Sequence, residues 1–357
     1  MRRPLALVAA AALVPCLAAA RPASRVVVGA DVSSLPRVEA EGGAFRPGGA
    51  KTGALEALRA AGFTAVRLRV WHTPPDGDCD LAATVAMARR ARDLGLRVML
   101  VPHYADSWAD PGKQPCPAAW RGRPLATLAD SVRTWTRGLV AACAADGAAP
   151  DWIQLGNEVD GGMLWDAGRL GAGDAGWDAF ATLLRAAAEG SREGAPGVRR
   201  VVHFSQGGDA GRCAWFFAKL AERGIPFEVA GVSYYPWWHG PLSGLGANLD
   251  SLARRLGRDV MVLETAYPWT LRSFDARHNV VGEPRQVSAW PATPHGQAAF
   301  ARALRAAVAR VPGGRGAGVW WWEPAWIATR GEGSPWENCA LFDSAGAALP
   351  ALRAFGR

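Results

Sequence analysis

Two glutamates carry the chemistry that this chain advertises most clearly. Glu158 closes the run Trp152-Ile153-Gln154-Leu155-Gly156-Asn157-Glu158, and Glu264 closes Asp259-Val260-Met261-Val262-Leu263-Glu264, just before Thr265-Ala266-Tyr267. An acid at the end of a buried strand needs either a cation partner or a reaction. Glycosidic cleavage requires one carboxylic acid to protonate the leaving oxygen and a second carboxylate across the anomeric carbon. Glutamates on two different strand ends suit that geometry, and as a retaining pair their carboxyls should stand about 5–5.5 Å apart. The competing reading makes each a rim acid paired with Arg67 or Arg69. Glu323, in Trp320-Trp321-Trp322-Glu323-Pro324, also ends a strand-like run and is a rival for a catalytic role. Strict alternation would point Asn157 and Glu158 to opposite faces, so a bulge is expected there.

Other groups could bind hydroxyls. His103-Tyr104 and Asp106 follow one strand-like run, and Tyr234-Tyr235-Pro236-Trp237-Trp238-His239 follows another. The chain holds 17 tryptophans, more than packing requires. Trp71, Trp108, Trp120, Trp165, Trp237, Trp238, Trp269, Trp290, Trp326 and Trp336 lie in loops or at strand ends, where flat indoles suit the C–H faces of sugar rings. Trp135, Trp177 and Trp215 fall on helical segments and read as packing. No serine, histidine and acid form a hydrolase triad. Asp275, His278 and Asn279 could join a calcium site, although a solvated polar loop explains them more simply. No cofactor is expected.

These residues need a scaffold. Eight β-rich runs recur, at Val26–Ser33, Ala65–Trp71, Arg97–Tyr104, Trp152–Glu158, Arg199–Gln206, Glu228–Pro236, Asp259–Tyr267 and Gly316–Pro324. Most precede an Ala/Arg/Leu-rich stretch of helical period, which predicts an α/β fold, a (β/α)8 barrel in one domain over 24–357. An open doubly wound sheet lacks support, because no glycine-rich phosphate turn follows the first run. Alternation in Val66-Arg67-Leu68-Arg69-Val70-Trp71 sends both arginines and Trp71 inward, and a buried arginine requires a carboxylate. Long inserts at 105–124, 159–176 and 267–294 should wall a cleft.

Residues 1–23 read as a secretory signal peptide, with Arg2 and Arg3 before the apolar run Leu5 to Ala20. A lipoprotein signal ending at Cys16 is disfavoured by Pro15. Five cysteines remain, with Cys79 and Cys116 the expected pair if any forms. The net charge of +8 comes mainly from scattered arginines, since only Lys51, Lys113 and Lys219 are lysines. Nucleic-acid binding would concentrate that charge, whereas a dispersed basic surface could favour acidic polysaccharide. A monomer acting on polysaccharide, without membrane insertion, is expected.

Taken in order, the motifs resemble glycoside hydrolase family 53, the endo-β-1,4-galactanases. The likeness runs through Gly29-Ala30-Asp31-Val32, Val66–Trp71, His103-Tyr104 with Trp108-Ala109-Asp110-Pro111, and Gly156-Asn157-Glu158-Val159 with Gly162-Met163-Leu164-Trp165. It continues through Gly231–Pro236, Glu264–Thr270, Trp322-Glu323-Pro324-Ala325-Trp326 and Trp336-Glu337-Asn338. The resemblance implies retaining, endo-acting cleavage of galactan or arabinogalactan, with Glu158 as acid/base and Glu264 as nucleophile. It implies that Glu323 is not catalytic, that Asn157 binds the hydroxyl beside the reacting carbon, and that Arg69 orients the nucleophile. Asp31, His103, Tyr104, Trp108, Tyr234, Tyr235, Trp237, His239, Trp269 and Trp322 complete the expected supporting set. Departures are Val101-Pro102 where aspartate and phenylalanine are usual, Asp160-Gly161 for Thr-Asn, and Cys339 for glutamine; they bear on subsites more than on the reaction. The alternatives are a barrel glycosidase acting on mannan, xylan or glucan, and a non-catalytic glycan-binding protein.

Overall fold

A computed structural model describes residues 26–331 and 333–356, so the leader reading over 1–23, with Cys16, lies outside the described residues. Eight parallel strands close a barrel: β1 (Val27–Asp31), β2 (Ala65–Val70), β3 (Arg97–Pro102), β4 (Trp152–Gln154), β5 (Arg199–Phe204), β6 (Val229–Ser233), β7 (Asp259–Glu264) and β8 (Gly316–Trp321). β1 pairs with both β2 and β8, which leaves no free edge. A helix follows each strand, from Ala54–Ala61 after β1 to Pro350–Gly356 after β8. Among the described residues no helix is long and apolar enough to cross a membrane.

Local chemistry sets the helix starts. Asp80 accepts from the Ala83 amide at 2.7 Å and opens Leu81–Asp93. Thr293 accepts from the Gly296 amide at 3.1 Å, with Pro294 supplying a preset φ at the first position of Pro294–Ala309.

The strands sort their side chains by face and by height. In β2, Val66, Leu68 and Val70 pack against the helices, Ala65 lies in the barrel interior, and Arg67 and Arg69 point inward above it. On β8, Trp320 fills the interior and meets the edge of Trp152 at 5.9 Å, while Trp321 faces outward to Phe355 at 5.1 Å. The indole of Trp320 leaves no room for a side chain on β1: a Cβ on Gly29 would lie 2.1 Å from its Nε1. The barrel is therefore apolar at its floor and charged at its C-terminal mouth.

Backbone irregularities aim residues at that mouth. The bulge expected at strand four is replaced by an early stop: β4 ends at Gln154, and the chain turns through Gly156 (φ 95°) and Glu158 (φ 46°). The register instead shifts between Val232 and Ser233, placing Ser233 opposite Glu264. The insert after β4 contains a small antiparallel hairpin, Gly162–Met163 with Gly168–Arg169.

Cys79 and Cys116 do not pair. All five described cysteines are free thiols. Cys79 is buried and turns its thiol to the Ser33 carbonyl at 3.7 Å, whereas Cys116 is half-buried in the insert after β3.

Candidate active site

Arg67 organises the mouth of the barrel. Its Nη1 donates to Asp31 at 2.7 Å, its Nε to Gln154 Oε1 at 2.8 Å, and its Nη2 to Asn157 Oδ1 at 2.9 Å. The same Nη2 stands 2.8 Å from Glu264 Oε1, an ion pair rather than an aligned hydrogen bond. Tyr235 donates its hydroxyl to the other oxygen of Glu264 at 3.1 Å. Burial pushes the Glu264 carboxyl up, and Arg67 opposes that push most strongly. The neighbouring anions hold Arg67 charged against its own burial.

The arginine expected beside Glu264 was Arg69, and the structure corrects this. Arg69 pairs with Glu323 at 3.4 Å and lies over the Trp108 ring at 4.0 Å. Residues i and i+2 share a strand face but sit at different heights, so Arg67 meets Glu264 and Arg69 meets Glu323. Glu323 also accepts from the Ser34 amide at 3.0 Å and hydroxyl at 2.9 Å, and does not line the cleft. Burial lifts its carboxyl to about 8.

Glu158 faces Glu264 from the turn after β4. Single oxygens of the two carboxylates, with one ring nitrogen of His203, all lie within 4.8 Å of one another. Burial first, and then the charge of Glu264, raises the Glu158 carboxyl well above its ordinary value. Ser233 donates to Glu158 Oε1 at 2.6 Å and pulls the other way. Both carboxyls are thus raised, Glu158 the further, so the site favours the proton on Glu158 while Arg67 favours the charged form of Glu264. The trio is not a metal site by its donors: both His203 nitrogens already engage protein groups, and the Arg67 guanidinium supplies the positive charge.

A cleft of about 520 Å³ opens over this pair. Of the expected residues, Trp108, Asn157, Glu158, Tyr235, His239, Glu264 and Trp322 line it, joined by Trp238, Trp326 and Trp336 from the loop tryptophans. Asp31, Arg69 and His103 lie buried beneath it. His103 accepts from the Ala109 amide at 3.0 Å and is kept neutral by burial and by the two arginines. Burial likewise lowers His239 to about 4.

Four expected residues lie elsewhere. Tyr104 shares a hydrogen bond with Thr136 at 2.8 Å on the helix side, and Tyr234 donates to the Gly240 carbonyl at 2.9 Å. Trp269 stacks on Phe274 at 5.4 Å, and Trp237 packs against Tyr235 at 5.3 Å without lining the cleft. Trp120 and Trp290 pack against neighbouring aromatic residues away from it.

The calcium candidates do not converge. Asp275 accepts from the amides of Arg277 and Ser334, each at 2.7 Å, through its two oxygens, while Asn279 donates to the Arg272 carbonyl at 3.1 Å and His278 is exposed. Asp275 thus serves the loop as a brace through these two amides.

Sequence reasoning did not assign roles to Gln154, His203 or Ser233. Each was visible as a polar residue within an apolar run, which a buried strand tolerates only when its hydrogen bonds are met.

A closed parallel barrel that sets two glutamates across an aromatic cleft, one beside an arginine and the other with its carboxyl raised the further, defines a glycosidase. The pattern of glycosyl hydrolase family 53 matches residues 27–355, and the chain belongs to that family. An arabinogalactan endo-β-1,4-galactanase of Cellvibrio japonicus is 34% identical over 344 residues, covering 92% of this chain and 90% of the relative. A Niallia circulans protein, described as an uncharacterized protein in the bgaB 5' region, is 37% identical over 339 residues, covering 92% and 93%. The Ignisphaera aggregans GH53 catalytic domain superposes with a TM-score of 0.88 at 34% identity, covering 96% of this chain and 97% of that one. Glycoside hydrolases of this family generally need no cofactor.

Proposed function

We propose that the protein cleaves β-1,4-galactosidic bonds within galactan or type I arabinogalactan chains, by retention, with Glu264 as nucleophile and Glu158 as acid/base. The observation that carries this reading is the approach of the two carboxylates, one oxygen of each lying within 4.8 Å of one of the other, which leaves little room for a water between them. Inversion needs carboxyls about 6.5–9.5 Å apart to seat a water between them. In the first step Glu264 bonds to the anomeric carbon while Glu158 passes its proton to the departing oxygen, which keeps the bond's electron pair. In the second, Glu158 takes a proton from water, whose oxygen attacks the same carbon and releases Glu264. Asn157, clamped between Arg67 and the Ala109 carbonyl, is the group offered to the hydroxyl beside that carbon. The indoles of Trp108, Trp238, Trp322, Trp326 and Trp336 provide flat apolar faces for sugar rings along the cleft. The galactanase relatives support the choice of polymer. An exported monomer, with residues 1–23 removed, accords with action on a polysaccharide.

The test is product sizing from linear β-1,4-galactan, with mannan, xylan and cellulose alongside. Short galacto-oligosaccharides from galactan alone are expected, and cleavage of another polymer would move the substrate. Glu264→Ala should abolish turnover yet fold normally. Azide should restore it with inverted configuration, and wild-type activity in that variant would remove Glu264 from the nucleophile role.

A further inference from the structure

Buried donors and acceptors around Glu158 form a chain whose direction can be worked out atom by atom. Arg67 has only donors, so Gln154 must turn Oε1 to it, at 2.8 Å. That fixes Gln154 Nε2, a donor, 3.1 Å from His203 Nδ1. The Glu158 amide, also a donor, points at the same nitrogen from 3.4 Å. Asn157 Oδ1 lies 3.2 Å from it, held in that orientation because the Asn157 amide donates to the Ala109 carbonyl and its oxygen accepts from Arg67. Two donors against one acceptor leave the lone pair on Nδ1. Full burial beside Arg67 keeps the ring neutral, so its single proton sits on Nε2.

From there the chain has one reading. His203 Nε2–H donates to Ser233 Oγ at 2.9 Å, so the Ser233 O–H cannot turn back to that nitrogen and donates instead to Glu158 Oε1 at 2.6 Å. Oε1 then faces a fixed donor and cannot carry the carboxyl proton.

We propose that Ser233 and His203 are positioning residues that confine the proton of Glu158 to Oε2, the oxygen left for the leaving group and later for water. The inference rests on Glu158 being the acid/base. Neither side chain touches substrate: both are buried and act through Glu158. The register shift between Val232 and Ser233 is the structural means, since it brings the serine to the level of the two carboxylates.

The experiment compares wild type, Ser233→Ala, Ser233→Thr and Glu158→Ala on galactan and on a dinitrophenyl β-galactobioside, whose leaving group needs no proton. Ser233→Ala should lower kcat on galactan about 10–100-fold with KM little changed, and lose less than threefold on the activated substrate in the glycosylation step. A donated hydrogen bond favours the charged carboxylate, so its removal should move the alkaline limb of kcat/KM up by about one pH unit. Ser233→Thr should restore both. With the opposite tautomer, protonated Glu158 would donate to Ser233, and the limb would move down; that result overturns the proposal, as does an unmoved limb. Glu158→Ala separates the two levels: kcat/KM reports the first step alone, and an equal loss of kcat/KM on both substrates would overturn the acid/base reading itself. If Ser233→Ala does not fold, nitrogen NMR of wild-type protein labelled at histidine decides, because a proton on His203 Nδ1 refutes the proposal and a proton on Nε2 supports it.

Discussion

Arg67 directs its guanidinium to Asp31, Gln154, Asn157 and Glu264 while almost wholly removed from water. A planar fork can serve four acceptors at once, whereas an ammonium on a shorter reach cannot. Arg67→Lys keeps the charge and loses most of that geometry, leaving Gln154 and Asn157 free to turn. We expect kcat/KM on galactan to fall at least 100-fold and stability to drop by up to about 3–5 kcal/mol, the cost of breaking a buried ion pair. Urea melts and initial rates would check both; unchanged activity would show that charge alone suffices. The sequence carried the inward direction of Arg67 and Arg69 through alternation, but not their heights. Two residues on one strand face differ in level by about 6.6 Å, which decides which carboxylate each reaches. Pattern alone is blind to that distance. Ser233 and His203 were visible as polar residues in apolar runs, but their roles were not, since those depend on partners that the fold alone brings to them.

At the scale of elements, the eight strands were legible because β-branched and aromatic runs recur between helical stretches. Their ends were not. β4 contains three residues where seven read as strand, because Gly156 and Glu158 adopt positive φ and carry the chain out of the sheet. Propensity does not report a left-handed glutamate, a conformation costing on the order of 1 kcal/mol or more that the surrounding contacts must outweigh. The interior shows the reverse case, in which one residue type answers another across strands. Gly29 on β1 pairs in register with Trp320 on β8, and the indole occupies the space where a Cβ would stand. Gly29→Ala should therefore destabilise by about 1–3 kcal/mol through overpacking. Trp320→Leu in the same chain should recover part of that loss, and the coupling in a double-mutant cycle would measure it. Additive effects would mean that the barrel floor relaxes independently of Trp320.

For the whole molecule, the barrel separates stability from chemistry. The apolar floor around Trp152 and Trp320 holds the strands together, and the segments after β3 and β8 supply the largest shares of the cleft lining, with Arg277 from the insert after β7, whereas residues 159–176, expected to wall the cleft, do not line it. The net charge of +8 belongs to this larger scale. Three units of it are Arg2, Arg3 and Arg21 within residues 1–23; of the rest, Arg37, Lys113 and Arg277 lie at the cleft, where Asp110, 3.8 Å from Lys113, is the anion outside the reacting pair. The Glu264 charge is already met by Arg67. A polymer carrying carboxylates should therefore be drawn toward the cleft at low salt, and a neutral one should not. The Debye length falls from about 30 Å at 0.01 M to about 8 Å at 0.15 M, so added salt removes long-range attraction while leaving contact hydrogen bonds in place. We expect KM for uronate-bearing galactan to rise at least twofold between those ionic strengths, with KM for linear neutral galactan unchanged and kcat constant for both. A parallel rise for the neutral polymer would trace the effect to the cleft's own geometry, and no rise for either would show that the arginines are matched locally by their acidic neighbours, as Arg37 is by Asp78 at 3.4 Å.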